Sequence, residues 1–413
     1  MKNVCIYLQV HQPYRVKRYG LFDVGHDHAY FDGNDATDLN NRRVLRKVGS
    51  KSYLPGAERL LDLLDRHPQF RFALSISGVA LEQLERDAPD VIDILRLLAK
   101  SGRVEFLGET YYHSLAFFYS RSEFEQQVRL HARAIERLFE VSPRVFRNTE
   151  LSYTNALGAW ADERGYLGIL AEGWDPVLGG RSPNHVYRPV SARRTRLLLK
   201  NYKLSDDIAF RFSSRDWSEW PLTAEKFGQW LSAAEGETVN LFMDYETFGE
   251  HQWEDTGIFD FLSTLPGELL KNPEITFMTP SGVIASLPDR GVIDVPHVTT
   301  WADTDRDLTA WLGNEMQHAA VGTLYGLEAR VRAAGDAAIL EDWRRLQTSD
   351  HFYYLCTKWS ADGDVHAYFS PYGSPYEAYK TYMHALKDLE WRLRMHERFG
   401  HPAPAALVLS DNS

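Results

Sequence analysis

The chain reads as an α/β protein: a closed or nearly closed barrel of parallel strands, followed by a helical domain. Three observations carry this reading. Short apolar runs alternate with amphipathic helical patterns up to about Thr300, the signature of strands joined by crossover helices. Several of those runs finish in acid, where a parallel barrel exposes its catalytic edge. Beyond Thr300 the strand signals stop and helical spacing takes over.

Val4 to Val10 is the first strand, and Pro13 in His11-Gln12-Pro13 ends it, leaving His11 at its C-terminal end. The polar stretch from Tyr14 to about Lys51 is long for a connection, which favours a functional loop. Its His26-x-His28 reads as solvated rather than as a metal site. A helix from Ala57 to Asp65, a strand from Phe70 to Ile76 and a helix from Val91 to Lys100 follow. Val104 to Leu107 is a short strand carrying Glu105 in an apolar run. Ser122 and Glu125 suggest a capping box for the next helix. Tyr166 to Glu172, Arg196 to Lys200 and Ile208 to Phe212 read as strands, and Thr223 opens a helix to about Ala233.

Val239 to Met243 is short, apolar and β-rich, a buried strand, and Asp244-Tyr245-Glu246-Thr247-Phe248-Gly249-Glu250-His251 follows it. A helix from Thr256 to Leu265 and a strand from Ile275 to Met278 complete a catalytic region over 1–295. Residues 296–413 form the helical region, with one long pattern from Leu308 to Ala334, a second at Glu341 to Gln347, and a third opened by Pro375. Ser349-Asp350-His351-Phe352-Tyr353-Tyr354 is too polar and aromatic for a plain bundle.

The composition excludes several classes. A net charge of −11 argues against nucleic acid and anionic membranes, which attract basic surfaces. No apolar stretch reaches the roughly 20 residues needed to cross a bilayer. The N-terminus is too short and polar for a signal peptide, and two cysteines give neither a disulfide framework nor metal spacing. The expectation is a cytoplasmic protein without a metal or cofactor. The 11 Trp and 21 Tyr suit a sugar ligand, whose rings stack on aromatic faces.

Five stretches stand out: His11 with Gln12, Glu105, Glu150, the Asp244–Glu246 pair, and Asp350. All but Asp350 close strand candidates, so a barrel would gather them at one face. Two carboxylates there suit glycosidic cleavage, one as nucleophile or base and the other as proton donor. Arg147, Asn148 and Thr149 are placed to donate hydrogen bonds that keep Glu150 ionised. Glu246 and Glu250 are like charges that would raise the Asp244 pKa. Trp253, after the strand end, is a rim aromatic.

On these residues the chain resembles glycoside hydrolase family 57, in its α-amylase-like branch. The matching stretches are His11-Gln12-Pro13, Gly102 to Leu107, Arg147 to Ser152, Met243 to Gly249 and Ser349 to Tyr353. The resemblance implies an incomplete seven-stranded β/α barrel and a C-terminal helical bundle contributing an aspartate. It implies a retaining enzyme on α-1,4-glucans, with Glu150 as nucleophile and Asp244 as acid/base. His11, Gln12, Glu105, Glu246, Trp253 and Asp350 would bind substrate. The family's common pattern has a tryptophan where this chain has Arg147. Alternatives within the family are 4-α-glucanotransferase and branching activity, and in another class a carbohydrate-binding protein that has lost turnover. A metal-dependent deacetylase would need a tight Asp-His-His set, which the spacing does not offer.

Overall fold

The computed structural model describes residues 1–358 and 368–400, which fall into two compact units. One is built from Met1–Pro13 and Arg42–Ala310, the other from Tyr14–Asn41 and the chain from Trp311 on.

The first unit contains ten strands: β1 (Lys2–Val10), β2 (Phe72–Ile76), β3 (Val104–Phe106), β4 (Val145–Arg147), β5 (Gly168–Glu172), β6 (Val186–Pro189), β7 (Arg196–Lys200), β8 (Thr238–Asp244), β9 (Ile275–Phe277) and β10 (Val292–Ile293). They make two sheets. One runs β3-β2-β1-β8, all parallel, with β9 beside the start of β1. The other runs β10-β6-β7-β5-β4, in which β4, β5 and β7 are parallel and β6 is antiparallel to β7.

Two thin joints connect them. Gly108, just past β3, donates to Val145 O at 2.9 Å and accepts from Arg147 N at 2.8 Å. Asn201, just past β7, donates to Asn240 O of β8 at 2.9 Å. The strands β1, β2, β3, β4, β5, β7 and β8 thus follow one another round an incomplete seven-stranded barrel.

Side chains alternate across each strand, and the alternation sorts the core. Val4, Ile6, Leu8 and Val10 of β1 face outward into a large cluster shared with the surrounding helices. Cys5 and Tyr7 face inward, where they meet Ala73, Leu107, Val145, Leu170, Leu198 and Phe242 from the other strands. Two residues further along each strand the inward position turns polar: Gln9, Ser75, Glu109, Arg147, Glu172, Lys200 and Asp244. The barrel is therefore packed with apolar groups below and crowned with charge.

Several local expectations are corrected. The Ile208–Phe212 run is not a strand: a helix spans Tyr202–Ala209, because the Asn201 side chain caps it by accepting from Leu204 N at 3.1 Å. The helix Arg121–Phe139 is capped by Ser120, accepting from Glu123 N at 3.2 Å, two residues before the expected box. The long pattern after Leu308 is broken. Asn314 and Gln317 form a capping box that starts a new helix, Glu315–Gly326, and Glu328–Ala334 is separate from it.

In the second unit, Glu315–Gly326, Glu328–Ala334 and Ala337–Arg345 accompany the long helix Pro375–Phe399, which buries Leu386, Leu389 and Leu393. The Tyr14–Asn41 segment is fastened to that helix through Asp388, which is fully buried. Its carboxylate accepts from Gly25 N at 2.6 Å, His28 Nδ1 at 2.8 Å and Tyr30 OH at 2.5 Å. His28 is thus engaged by a carboxylate, and its ring stacks on Trp391. Removing that acceptor leaves three donors without it, of which Tyr30 OH is buried while His28, with a side chain 42% exposed, can turn to water. Asp388→Ala is expected to cost about 1–3 kcal/mol, read as a lowered melting temperature, and Asp388→Asn less because one acceptor oxygen stays. An unchanged melt for Asp388→Ala would show that the clasp contributes nothing.

Candidate active site

The polar crown of the barrel, with the loops that follow its strands, assembles one cluster. Gln9 ends the inward face of β1, and the parallel register sets it beside Asp244 at the end of β8. From β4, Arg147 enters the same layer with no exposure to solvent. Its Nη2 donates to Gln9 Oε1, and its Nη1 lies 3.8 Å from Glu109.

Glu150 follows β4 in a tight turn with a positive φ of 60°. Its carboxylate is gripped from two sides. His113 Nε2 lies 2.9 Å from Oε1, and Trp301 Nε1 donates to Oε2 at 2.8 Å. His113 Nδ1 in turn faces Glu109 Oε2 at 3.4 Å, and its ring stacks on His11 with centroids 3.9 Å apart. His11 is held by Ser77 Oγ, 2.7 Å from its Nδ1, while its backbone N–H donates to Glu246 Oε1 at 3.2 Å. Tyr53 OH donates to the same oxygen of Glu246.

The carboxyl groups of this cluster are tuned in opposite directions. Burial works against an ionised Glu150, yet the His113 hydrogen bond, the charges of His113 and Arg147, and the Trp301 N–H outweigh it and hold its pKa below the ordinary value. Glu109 is carried down to about 2, burial being overcome by His113, Arg147 and His131. Asp244 goes the other way, to about 6. Burial comes first and the negative charge of Glu150 second, with Arg147, Lys200 and His113 pulling back. Glu246 is pushed to about 8 by burial and by Asp244. Burial lowers the affinity of His113 for a proton, but Glu109 and Glu150 raise its pKa to about 9. Near neutral pH the cluster therefore holds a charged His113 between two carboxylates, and a proton at Glu246.

The structure brings His11, Glu150, Asp244 and Glu246 into this network and places Glu105, Gln12 and Trp253 outside it. Glu105 faces the barrel interior but lower down, where its Oε2 accepts from Ser281 N at 2.8 Å at the start of the helix Pro280–Ser286. The carboxylate of the network is Glu109, four residues on and again on the inward side. Gln12 is buried, with its carbonyl accepting from Gln83 Nε2 at 2.8 Å. Trp253 is 58% exposed beyond β8, with Lys51 Nζ 5.1 Å from its ring centre. Asp350 opens the short helix Asp350–Tyr353 of the second unit.

Two electrostatic expectations are also revised. Asn148 and Thr149 do not hold Glu150: Asn148 Nδ2 donates to Ser152 O, and Thr149 Oγ1 pairs with Thr110 Oγ1. Glu250 has left the pair it was expected to perturb, lying 3.1 Å from Lys47 and 3.4 Å from Lys51. Glu109, His113 and Trp301 are the participants that the sequence reading missed. The period-two rule extended past Leu107 finds Glu109; no local signal finds Trp301, which arrives from 151 residues along the chain.

Comparison with known proteins supplies the family. The family described as glycosyl hydrolase family 57 matches residues 5–296. A protein of Methanocaldococcus jannaschii named "Putative alpha-amylase" is 39% identical over 398 residues, covering 94% of this chain and 84% of that protein. Among solved structures, a branching enzyme of Thermococcus kodakaraensis superimposes with a TM-score of 0.69 at 13% identity, over 97% of this chain and 92% of that one. The 4-alpha-glucanotransferase of Thermococcus litoralis gives 0.65 at 16% identity over 85% of this chain, which spans 56% of the length of that enzyme. With the family match covering most of its length, the chain belongs to glycosyl hydrolase family 57.

Proposed function

We propose that the chain is a retaining glycoside hydrolase acting on α-1,4-glucans, with Glu150 as nucleophile and Asp244 as general acid and base. The observation that carries this is the opposite tuning of two neighbouring carboxyl groups. Glu150 is kept ionised by His113, Arg147 and Trp301, while burial and the charge of Glu150 let Asp244 keep its proton up to about pH 6. That is the division of labour that retaining cleavage requires. Asp244 gives its proton to the glycosidic oxygen as the C–O bond breaks, and Glu150 Oε attacks the anomeric carbon to form a glycosyl ester. The leaving chain departs, a water enters, Asp244 takes its proton, and the ester is released with the original configuration.

His11 and Trp253 supply sugar-facing rings in this reading, and Glu246, protonated near neutrality, braces the His11 backbone. The family resemblance adds Asp350 as a substrate ligand, tested by the rise in KM on Asp350→Asn. Likeness to a glucanotransferase and a branching enzyme supports the barrel but not the choice between water and a second sugar as acceptor. Chromatography of maltooligosaccharide digests separates the two: shorter sugars alone mean hydrolysis, and a ladder of longer ones means transfer.

Glu150→Gln is expected to lower kcat by at least about a thousandfold with little change in substrate affinity, because only the attacking group is lost. Near-normal turnover in that variant would remove Glu150 from the mechanism. The pH profile gives a second check. The proton donor of the free enzyme has its pKa at about 6, so kcat/KM should fall as pH rises through that value. The Lys200 charge lowers the Asp244 pKa, so Lys200→Met should move this limb to higher pH. A limb that stays in place, or moves down, contradicts the assignment of Asp244 as the acid.

A further inference from the structure

The loop that reaches Glu150 is held in place by side chains to which the mechanism above gives no part, apart from the Trp301 N–H. Thr299 pairs with Tyr153 through backbone hydrogen bonds of 2.9 and 3.0 Å, bringing Trp301, two residues on, to the turn that carries Glu150. Trp301 then holds Glu150 twice, by its backbone N–H to the Glu150 carbonyl at 3.2 Å and by its indole N–H to the carboxylate at 2.8 Å. Two cations lie over its ring, Arg147 at 5.1 Å and Lys200 at 5.5 Å from the centroid, within cation–π range.

Arg306 closes the loop on itself. Its Nη1 donates to the Trp301 carbonyl, and its own carbonyl accepts from Thr300 N at 2.8 Å. The same guanidinium is anchored in the barrel crown: Nη1 lies 3.3 Å from Glu172, which is fully buried, and Nη2 lies 3.7 Å from Asp206. Lys200 Nζ completes the set, 2.9 Å from Asp206 and 3.9 Å from Glu172. Asp303 and Arg306 both adopt positive φ, at 54° and 52°, which is costly for residues with a Cβ unless surrounding contacts enforce it. A buried carboxylate such as Glu172 persists only where cations are delivered to it.

We propose that Trp301 is a positioning residue that aims and ionises the nucleophile, and that Arg306, locked onto Glu172 and Asp206, is the latch that keeps it there. The proposal rests on the reading of Glu150 as nucleophile. It assigns to Glu172, Asp206 and Arg306 a function at a distance from the bond that breaks, through one indole N–H.

The discriminating variant is Trp301→Phe, which keeps an aromatic ring for the two cations and removes the donor. A hydrogen bond to a charged group is worth about ten- to a hundredfold, so kcat should fall by that factor with KM within about threefold. Losing a donor to the ionised form raises a carboxyl pKa, so the acid limb of kcat/KM should move up by about one unit. Arg306→Met should move kcat and the acid limb the same way, with Arg306→Lys restoring part of the loss because a cation without the fork remains. A structural role alone would lower the melting temperature and leave the acid limb in place.

Unchanged kcat and acid limb in Trp301→Phe overturn the proposal, as does an Arg306→Met enzyme that is less stable but titrates normally. Measuring Glu150→Gln alongside separates the two readings. If it is inactive and Trp301→Phe is normal, the latch alone is wrong. If it is active, the nucleophile is wrong and the latch falls with it.

Discussion

The guanidinium of Arg147, shut off from water at the centre of the barrel mouth, is the constraint to which the rest of the site answers. A buried charge of this kind is tolerated only when opposite charge is supplied close by. Glu109 lies 3.8 Å away, and the His113 hydrogen bond and then the Arg147 charge outweigh burial and bring its pKa to about 2. Its second carboxylate contact, His113, then becomes cationic and passes the effect on to Glu150. Each carboxyl group that ionises must find its share of Arg147, His113 and Lys200. Glu109 and Glu150 take that share first, and Asp244 and Glu246 keep their protons to higher pH because less compensation is left for them. The difference in proton affinity between Glu150 and Asp244 follows from the order in which a limited positive charge is used.

Geometry makes that order possible. His113, Glu150 and Leu151 all have positive φ, between 50° and 60°, and none is glycine. Each costs about 1–3 kcal/mol when the backbone is forced there. The turn is held regardless, by the Thr110–Thr149 hydroxyl pair, by Ser152 on the Thr149 carbonyl, and by the Tyr153–Thr299 pairing. Strain concentrated on the residues that carry charge, inside a frame that prevents relaxation, is how a site keeps its carboxylates a fixed distance apart before substrate arrives.

Much of this was legible in the sequence, and the limits have physical causes. The strand runs at Val4, Phe72, Val104, Gly168, Arg196 and Val239 announce themselves because a barrel strand is apolar on both faces until its last inward residue. The same rule marks Asp244 and Glu172 as inward groups at strand ends. It misleads at Glu105, which has the right parity but sits two inward positions too low, at the N-terminus of a helix from elsewhere in the chain. The Ile208 run looked extended because Phe and Ile favour strands; the cap at Asn201 overrides that preference. Trp301 could not be seen, since a hydrogen bond to Glu150 from a loop is a tertiary fact without local pattern. The roles proposed for Glu150 and Asp244 rest on family resemblance, while the charges that distinguish the two residues come from the fold.

The same charge distribution carries a consequence for the second half of the reaction proposed above. While Glu150 is an anion, its charge is the second largest reason that Asp244 holds a proton. Once Glu150 has become a neutral ester that contribution disappears, whereas Arg147, Lys200 and His113 go on favouring the ionised form of Asp244. The Asp244 pKa must then fall, in the step after it has delivered its proton to the departing chain. In the glycosyl-enzyme the site therefore holds one negative charge, as before, moved from Glu150 to Asp244. As water attacks, the ester breaks and the charge returns to Glu150, raising the proton affinity of Asp244 when the water's proton has to be collected. The cations need not move at any stage. One residue serves as acid and then as base because its partner's charge is removed and restored by the covalent chemistry itself.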